Sequence, residues 1–336
     1  MSNKESKGSK SNKSTSRALV VVQGKEVRVG NTNNWRGLVA TFIASQDVRE
    51  SSRKLYTRTL SQYFVWIEET KKSLNNLTRH DVLEYKDYLQ DKGLSSLTIS
   101  SYITAVRMFY EWAEGEKLYP NIAKGIKTPR RTGKKEKKFR KLHLTEAKSK
   151  ELLDHFQSQS LRDYAIVNLI LRTGLRTIEV VRADIEDITF RGERRVLKVW
   201  GKGQDTKDDF VVLSDKAYLP IKNYLAVARK GAKNGEPLFT STSHQNYGGR
   251  LTTKTISTIC KDGLRAIGLD GKEFTAHSLR HTTAVTLLKE SNYNIYKAQL
   301  VLRHASPVTT QIYVDSIKDD ENRLQNAPEL IIDNAF

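Results

Sequence analysis

Apolar residues follow two different rhythms along this chain, and the architecture is expected to change where the rhythm does. From about residue 33 the spacing is helical: Tyr56, Leu60, Tyr63, Phe64 and Ile67 recur at intervals of four, three, one and three, which is one face of a helix. Thr78 is placed to cap the next helix, with Asp81 in its first turn and Gly93 beyond its end. Ser95 or Ser96 then opens a helix that carries Ile99, Ile103, Val106, Tyr110 and Ala113 on one side. The pattern predicts a small bundle of four or so helices over 34–126. A second patterned region runs over 142–319. There "LRDYAIVNLILRTGLR" predicts an apolar helix stopped at Gly174, and "TIEVVRADIED" a new helix after it. The rhythm shortens in "RRVLKVWGKGQDTKDDFVVLS", which reads as strand, Gly-Lys-Gly turn and strand, and helices resume to the end. The fold class this implies is mainly α with a small β-sheet or hairpin (α+β): a helical domain joined to a mixed α/β domain.

Three stretches carry no such rhythm. Residues 1–33 begin "MSNKESKGSKSNKSTSR", without an apolar residue after the initiator Met, and are expected to form a basic, disordered arm. Within that arm "ALVVVQGKEVRVG" alternates well enough for a short strand or hairpin. Residues 127–141, "KTPRRTGKKEKKFRK", hold nine basic residues and one acid. They read as a solvated linker whose Lys127, Arg130, Arg131, Lys134, Lys135, Lys137, Lys138 and Arg140 lie against phosphates. The tail over 320–336 ends in "APELIIDNAF", whose Leu330, Ile331, Ile332 and Phe336 have no obvious partner within the chain.

Charge narrows the choice of partner. Among 336 residues, 57 Lys and Arg stand against 38 Asp and Glu, a formal net charge of +19. A globular chain this basic is expected to meet a polyanion, with nucleic acid ahead of an anionic membrane surface. No apolar run approaches the roughly 18 residues of a spanning helix, so no membrane partner is expected. The single cysteine, Cys260, excludes an internal disulfide and offers no cluster for structural zinc. It lies in "TISTICKDGL", read as a helix, and is expected to pack in a core. A reducing cytoplasm fits these features.

A few residues stand out by position. Arg176 follows Thr-Gly-Leu at a helix start, Lys202 sits between two glycines at a hairpin tip, and His277 and Arg280 lie in "HSLRH". His304 and Tyr313, nine positions apart (313 − 304), lie in "LRHASPVTTQIYV", where Ser306 and Pro307 have the residue types that begin a helix. Each has an ordinary alternative as surface charge, turn or packing. His277 and His281 have the i, i+4 spacing of a zinc pair, but the Glu of a zinc-protease motif and a third ligand are missing, so neither a metal nor a cofactor is expected. Together the set suits one reaction. Cleaving a phosphodiester without metal needs a nucleophile, neutralisation of two non-bridging oxygens, and a proton for the leaving oxygen. Two guanidiniums suit the oxygens, because each offers forked donors and stays charged. A lysine on a tip can protonate a leaving 5′-oxygen, and histidine can take or return a tyrosine proton near neutral pH. Tyrosine as nucleophile conserves the bond energy in a covalent phosphotyrosine.

The motifs "TGLRTIE", "GKG", "HSLRH" and "LRHASPVTTQIYV", in this order, resemble those of the tyrosine recombinases, the phage-integrase family. The resemblance covers the catalytic domain and, more loosely, the preceding helical domain as a core-binding, SAM-like unit. It implies Arg176 and Arg280 as clamp arginines, Lys202 as general acid, His277 as acid/base beside the tyrosine, His304 as a phosphate hydrogen-bonder and Tyr313 as nucleophile. Glu179 would steady the site, and His281 would pack behind it. Where the family usually has Gly before the second histidine, this chain has Arg303, expected either to add a phosphate contact or to mark a different local turn. The implied activity is site-specific DNA recombination through a 3′-phosphotyrosine and a Holliday junction. Four protomers would act on two duplex sites, with accessory DNA-bending or directionality factors as further partners and the tail docking on a neighbour. A type IB topoisomerase-like relaxing enzyme and a non-catalytic DNA-binding protein on the same scaffold are the alternatives.

Overall fold

Several helices of this chain begin where a side chain satisfies one of their first free N–H groups. The computed structural model describes residues 19–22, 25–28, 35–128, 142–200 and 206–325. The remainder of the basic arm, the linker residues Arg130, Arg131, Lys134, Lys135, Lys137, Lys138 and Arg140, the hairpin-tip Lys202 and the tail from 326 lie outside the described residues. The chain divides into two compact units between residues 138 and 139, inside the basic stretch.

In the first unit, strands β1 (Leu19–Val22) and β2 (Lys25–Arg28) pair antiparallel, with Leu19 opposite Arg28. Four helices follow: α1 (Trp35–Ser45), α2 (Glu50–Glu69), α3 (Arg79–Asp91) and α4 (Ser96–Gly115). At the start of α3 the Asp81 carboxylate accepts from the Thr78 N–H at 2.7 Å, and at the start of α4 the Ser95 hydroxyl accepts from the Thr98 N–H at 3.2 Å. The predicted apolar faces are buried: Leu60, Tyr63, Phe64 and Ile67 of α2 meet Val82, Tyr85 and Leu89 of α3 and Ile99, Ile103, Val106, Tyr110 and Ala113 of α4. The core is aromatic. Tyr63 packs edge-on against Tyr85 with centroids 4.9 Å apart, and its hydroxyl lies 3.0 Å from that of Tyr110. That mutual bond satisfies two polar atoms that water cannot reach.

The second unit is organised around α6 (Leu161–Thr173), in which Ala165, Ile166, Val167, Leu169 and Ile170 are all buried. A helix apolar on every side belongs inside a domain. It packs against α5 (Glu146–Gln159), α8 (Asp215–Ala228) and α10 (Ala276–Glu290). Its buried Asn168 is satisfied by donating to the Lys216 carbonyl at 2.9 Å and accepting from Arg172 Nε at 2.8 Å. The next helix, α7, is shorter than the pattern predicts and covers only Thr177–Arg182. A 3-10 turn follows, and then an unanticipated strand, β3 (Ile188–Arg191). Four residues are too few to display a period of two, so β3 is defined by its partner: Ile188 pairs opposite Leu197 of β4 (Arg194–Val199), which pairs in turn with β5 (Asp209–Val212). The sheet is antiparallel in the order β3-β4-β5. Lys207, just before β5, is held by Asp184 at 2.7 Å and Asp187 at 2.6 Å, which secures one side of the hairpin.

α9 (Thr253–Ala266) places Cys260 wholly in the core, as expected. A smaller apolar cluster joins α10 to α11 (Ile295–Leu302) and α12 (Pro307–Gln325) through Leu288, Leu302, Tyr313, Val314 and Ile317. Among the described residues no helix is long and apolar enough to cross a membrane.

Close packing at Gly263 of α9 gives a test of this core. A β-carbon there would overlap the Phe156 ring of α5. Ala for Gly within a helix ordinarily gains up to about 1 kcal/mol, whereas overpacking a core costs about 1–3 kcal/mol. Gly263→Ala is expected to lower the urea midpoint at unchanged slope; a raised midpoint would show that α5 and α9 are not packed this closely.

Candidate active site

The site is assembled at helix ends. Gly174 closes α6 in the left-handed conformation (φ +64°), with its carbonyl turned to the interior and Arg176 leading into α7. One turn on, Glu179 is 2% exposed. Its carboxylate accepts from the Arg176 N–H at 2.6 Å and from Arg176 Nη1 at 3.0 Å. It also accepts from Arg303 Nη2 at 2.7 Å. A buried carboxylate thus lies between two guanidiniums, the charge-assisted pairing that makes such burial tolerable. The Arg176 side chain is still a quarter exposed (25%), so its outer face remains open.

Arg280 projects from α10 and is 1% exposed. It donates to the main-chain carbonyls of Gly174 and Leu302. Carbonyls orient a guanidinium without neutralising it, so the positive charge persists. Burial, and then the adjacent Arg176 charge, pull its pKa down to about 10, which still leaves a cation at neutral pH.

The turn after α11 carries Arg303 in the left-handed region (φ +52°) and then His304, 9% exposed. The imidazole Nδ1 lies 2.9 Å from the hydroxyl of Thr310, one turn into α12, which leaves Nε2 for another partner. Burial, and then the charges of Arg280, Arg176 and Arg303, press the His304 pKa down to about 4, so the ring is neutral near pH 7. Tyr313, one turn after Thr310, is 8% exposed. Its ring lies 6.1 Å from that of His304 and 4.7 Å from that of His281, which is itself 5.0 Å from His277. Burial raises the Tyr313 pKa, while Arg280 and Arg176 oppose the rise.

Arg176, Glu179, His277, Arg280, His281, Arg303, His304 and Tyr313 therefore form one connected neighbourhood. An open cleft of about 690 Å³ is bordered by Arg176, Asp209, Tyr296, Arg303, His304 and Ser306. The arrangement offers two cations, a neutral imidazole and a phenol, which is the equipment for binding a phosphodiester and attacking it. Among the described residues no group of three or more His, Cys, Asp or Glu is placed to hold a metal ion. Lys202 lies outside the described residues, while Lys127 is exposed at the end of the first unit. Three features were not anticipated: the Thr310 bond to His304, the ring of His281 directly on Tyr313, and the inward turn of Arg303. A threonine in a Thr-Thr pair gives no local sign of its partner, because the bond depends on how the chain folds back between α11 and α12.

Residues 143–319 match the phage integrase family, and residues 35–119 match the phage integrase N-terminal SAM-like domain. The tyrosine recombinase XerA of Pyrococcus furiosus is 31% identical over 82% of this chain and 86% of its own length. Tyrosine recombinase XerC of Caldanaerobacter subterraneus is 35% identical, over 55% of this chain and half (50%) of that protein. Among solved structures, the post-cleavage complex of XerH site-specific recombinase with palindromic difH substrate aligns with a TM-score of 0.64. It is 22% identical and covers 82% of this chain and 78% of that one. A lambda integrase dimer bound to a core site aligns with a TM-score of 0.60 at 15% identity, over 82% of this chain and 96% of that one. At these identities the structural likeness speaks to the fold.

The neutral His304 sets a pH dependence. Its folded pKa of about 4 lies below the ordinary 6.5, so between those values the unfolded chain binds a proton that the folded chain refuses. Stability should therefore fall as pH drops through that window, by at most about 3 kcal/mol from this group. Urea melts of wild type and His304→Gln should converge from pH 7 toward pH 4; parallel curves would remove His304 as the source.

Proposed function

The chain belongs to the phage integrase family, and from that premise we propose that it is a site-specific DNA recombinase with Tyr313 as its nucleophile. The observation that carries the assignment is that Arg176 and His304 border one cleft, while Arg280 and Tyr313 lie close enough behind it to feel the same charges.

The chemistry follows from what each group can do. Arg176 and Arg280 hold the two non-bridging oxygens of the scissile phosphate, and the neutral His304 donates a hydrogen bond from Nε2 while Thr310 holds Nδ1. The Tyr313 oxygen attacks phosphorus, giving up its proton to His277, which here stands beyond the His281 ring and comes into reach as the phenol moves to phosphate. The bond to the 5′-oxygen breaks as Lys202 protonates that oxygen. A 3′-phosphotyrosine and a free 5′-hydroxyl result. Rejoining is the reverse, with a 5′-hydroxyl from a partner strand attacking the phosphotyrosine and Tyr313 recovering its proton. Stabilising the charge on the pentavalent phosphorus falls to fixed guanidiniums, so neither metal nor cofactor takes part. Tyr313 is 8% exposed with its ring against His281, so bringing its oxygen to phosphate takes a movement of α12.

Duplex recombination sites are the substrate. The +19 charge and the linker cations Lys127, Arg130, Arg131, Lys134, Lys135, Lys137, Lys138 and Arg140 supply backbone affinity, so binding weakens steeply with salt. Four protomers act on two duplexes through a Holliday junction, the tail over 320–336 docks on a neighbour, and DNA-bending or directionality factors bias the outcome. The setting is the nucleoid of a cytoplasm.

The test uses a library of nicked duplexes with randomised arms, from which the protein selects its substrate by covalent capture. Wild type should enrich one sequence and remain attached to it after denaturation, with or without EDTA. Tyr313→Phe should bind that duplex and form no adduct. An adduct with Tyr313→Phe, or loss of wild-type adduct on chelation, would remove this mechanism. Capture without sequence enrichment would favour the relaxing-enzyme alternative, and binding without any capture the non-catalytic one.

A further inference from the structure

Arg303 occupies a position that its own backbone makes costly. With φ +52° and ψ +52° it lies in the left-handed region, where glycine is at ease and other L residues are not. Its side-chain contacts help to offset that cost. The side chain is only 7% exposed although the residue borders the cleft. Nη2 donates to Glu179 at 2.7 Å and Nη1 to the Val301 carbonyl at 2.9 Å, while Nε lies 3.5 Å from Asp209 Oδ2. All three nitrogens face protein groups from α7, α11 and β5, and Nη1 and Nη2 each commit one of their two N–H groups to them.

Glu179 is the consequential partner. With Arg176 alone it would form a neutral pair, and the carboxylate would cancel the charge that the cleft needs. The guanidinium of Arg303 on the other side of that carboxylate makes the trio net positive, while Glu179 still holds both the main chain and the guanidinium of Arg176. The same contact pins the residue next to His304. We propose that Arg303 is a positioning residue that acts through Glu179 to hold Arg176, and with it the His304 turn, ready for the scissile phosphate. This inference rests on the recombinase reading of the site.

The experiment is a double-mutant cycle on the duplex captured by wild type, following single-turnover adduct formation and, separately, the salt dependence of binding. Arg303→Gly accepts φ +52° without strain and should fold. It is expected to bind within about twofold of wild type with an unchanged salt slope, yet to cleave about 10–100-fold more slowly, as a displaced clamp residue would. Arg303→Lys keeps the charge and should recover most of that loss. In a Glu179→Gln background, adding Arg303→Gly should change the rate by less than about twofold, because the group through which Arg303 acts is already gone. The proposal is overturned if Arg303→Gly cleaves like wild type, or if the two losses multiply. It is also overturned if affinity falls and the salt slope drops by about 0.9, the mark of one lost phosphate contact. If wild type itself captures no duplex, the recombinase reading fails and this inference with it; normal wild-type capture with an unaffected Arg303→Gly sinks the inference alone.

Discussion

A guanidinium buried to 1% exposure is the constraint on which the second unit turns. Arg280 stays charged, and a buried charge without partners is among the most costly things a fold can contain. Its needs are met by two carbonyls, from Gly174 at the end of α6 and Leu302 at the end of α11. Both carbonyls are available because helix ends leave C=O groups unpaired. One side chain therefore draws three helices to a point, and the flanking residues, Arg176 after Gly174 and His304 after Leu302, are brought to the same cleft. Satisfying Arg280 and constructing the site are one event.

The cleft balances opposed electrostatic demands. Cations are needed where a phosphate will bind, but cations crowded into a poorly solvated site repel one another, and the depressed pKa values of Arg280 and His304 record that repulsion together with burial. Glu179 relieves the crowding between Arg176 and Arg303. Burial, and then the same crowding, keep His304 neutral, so one of its nitrogens can carry a hydrogen for donation while the other is held by Thr310. Tyr313 feels the reverse. The arginines favour its phenolate, but burial wins and the proton stays on until a base removes it.

Much of this was legible in residue order because it depends on near neighbours. The helical faces of α2, α3 and α4 follow from apolar spacing, and their starts from Thr78 and Ser95. The stop at Gly174 follows from a backbone conformation that glycine adopts freely. The candidate site residues were chosen by residue type and position, and the fold brings Arg176, Glu179, His277, Arg280, His281, His304 and Tyr313 into one neighbourhood. β3 was not, being four residues long and stabilised by its pairing with β4 rather than by its own pattern. Nor was the direction of Arg303, expected from sequence to contact phosphate or to mark a different turn, which the fold turns onto Glu179, 124 positions away.

The sequence by itself determined the helical bundle, the hairpin, the basic character and the set of groups able to do chemistry, because each of these is decided by side-chain type and by spacing within a few residues. Tertiary structure alone decided which carbonyls hold Arg280, that Thr310 orients His304, that His281 rather than His277 lies on Tyr313, and that Arg303 faces inward. The reason is physical. A buried charge or polar atom must find partners wherever the packed chain supplies them, and segments a hundred residues apart leave no periodic trace of that meeting.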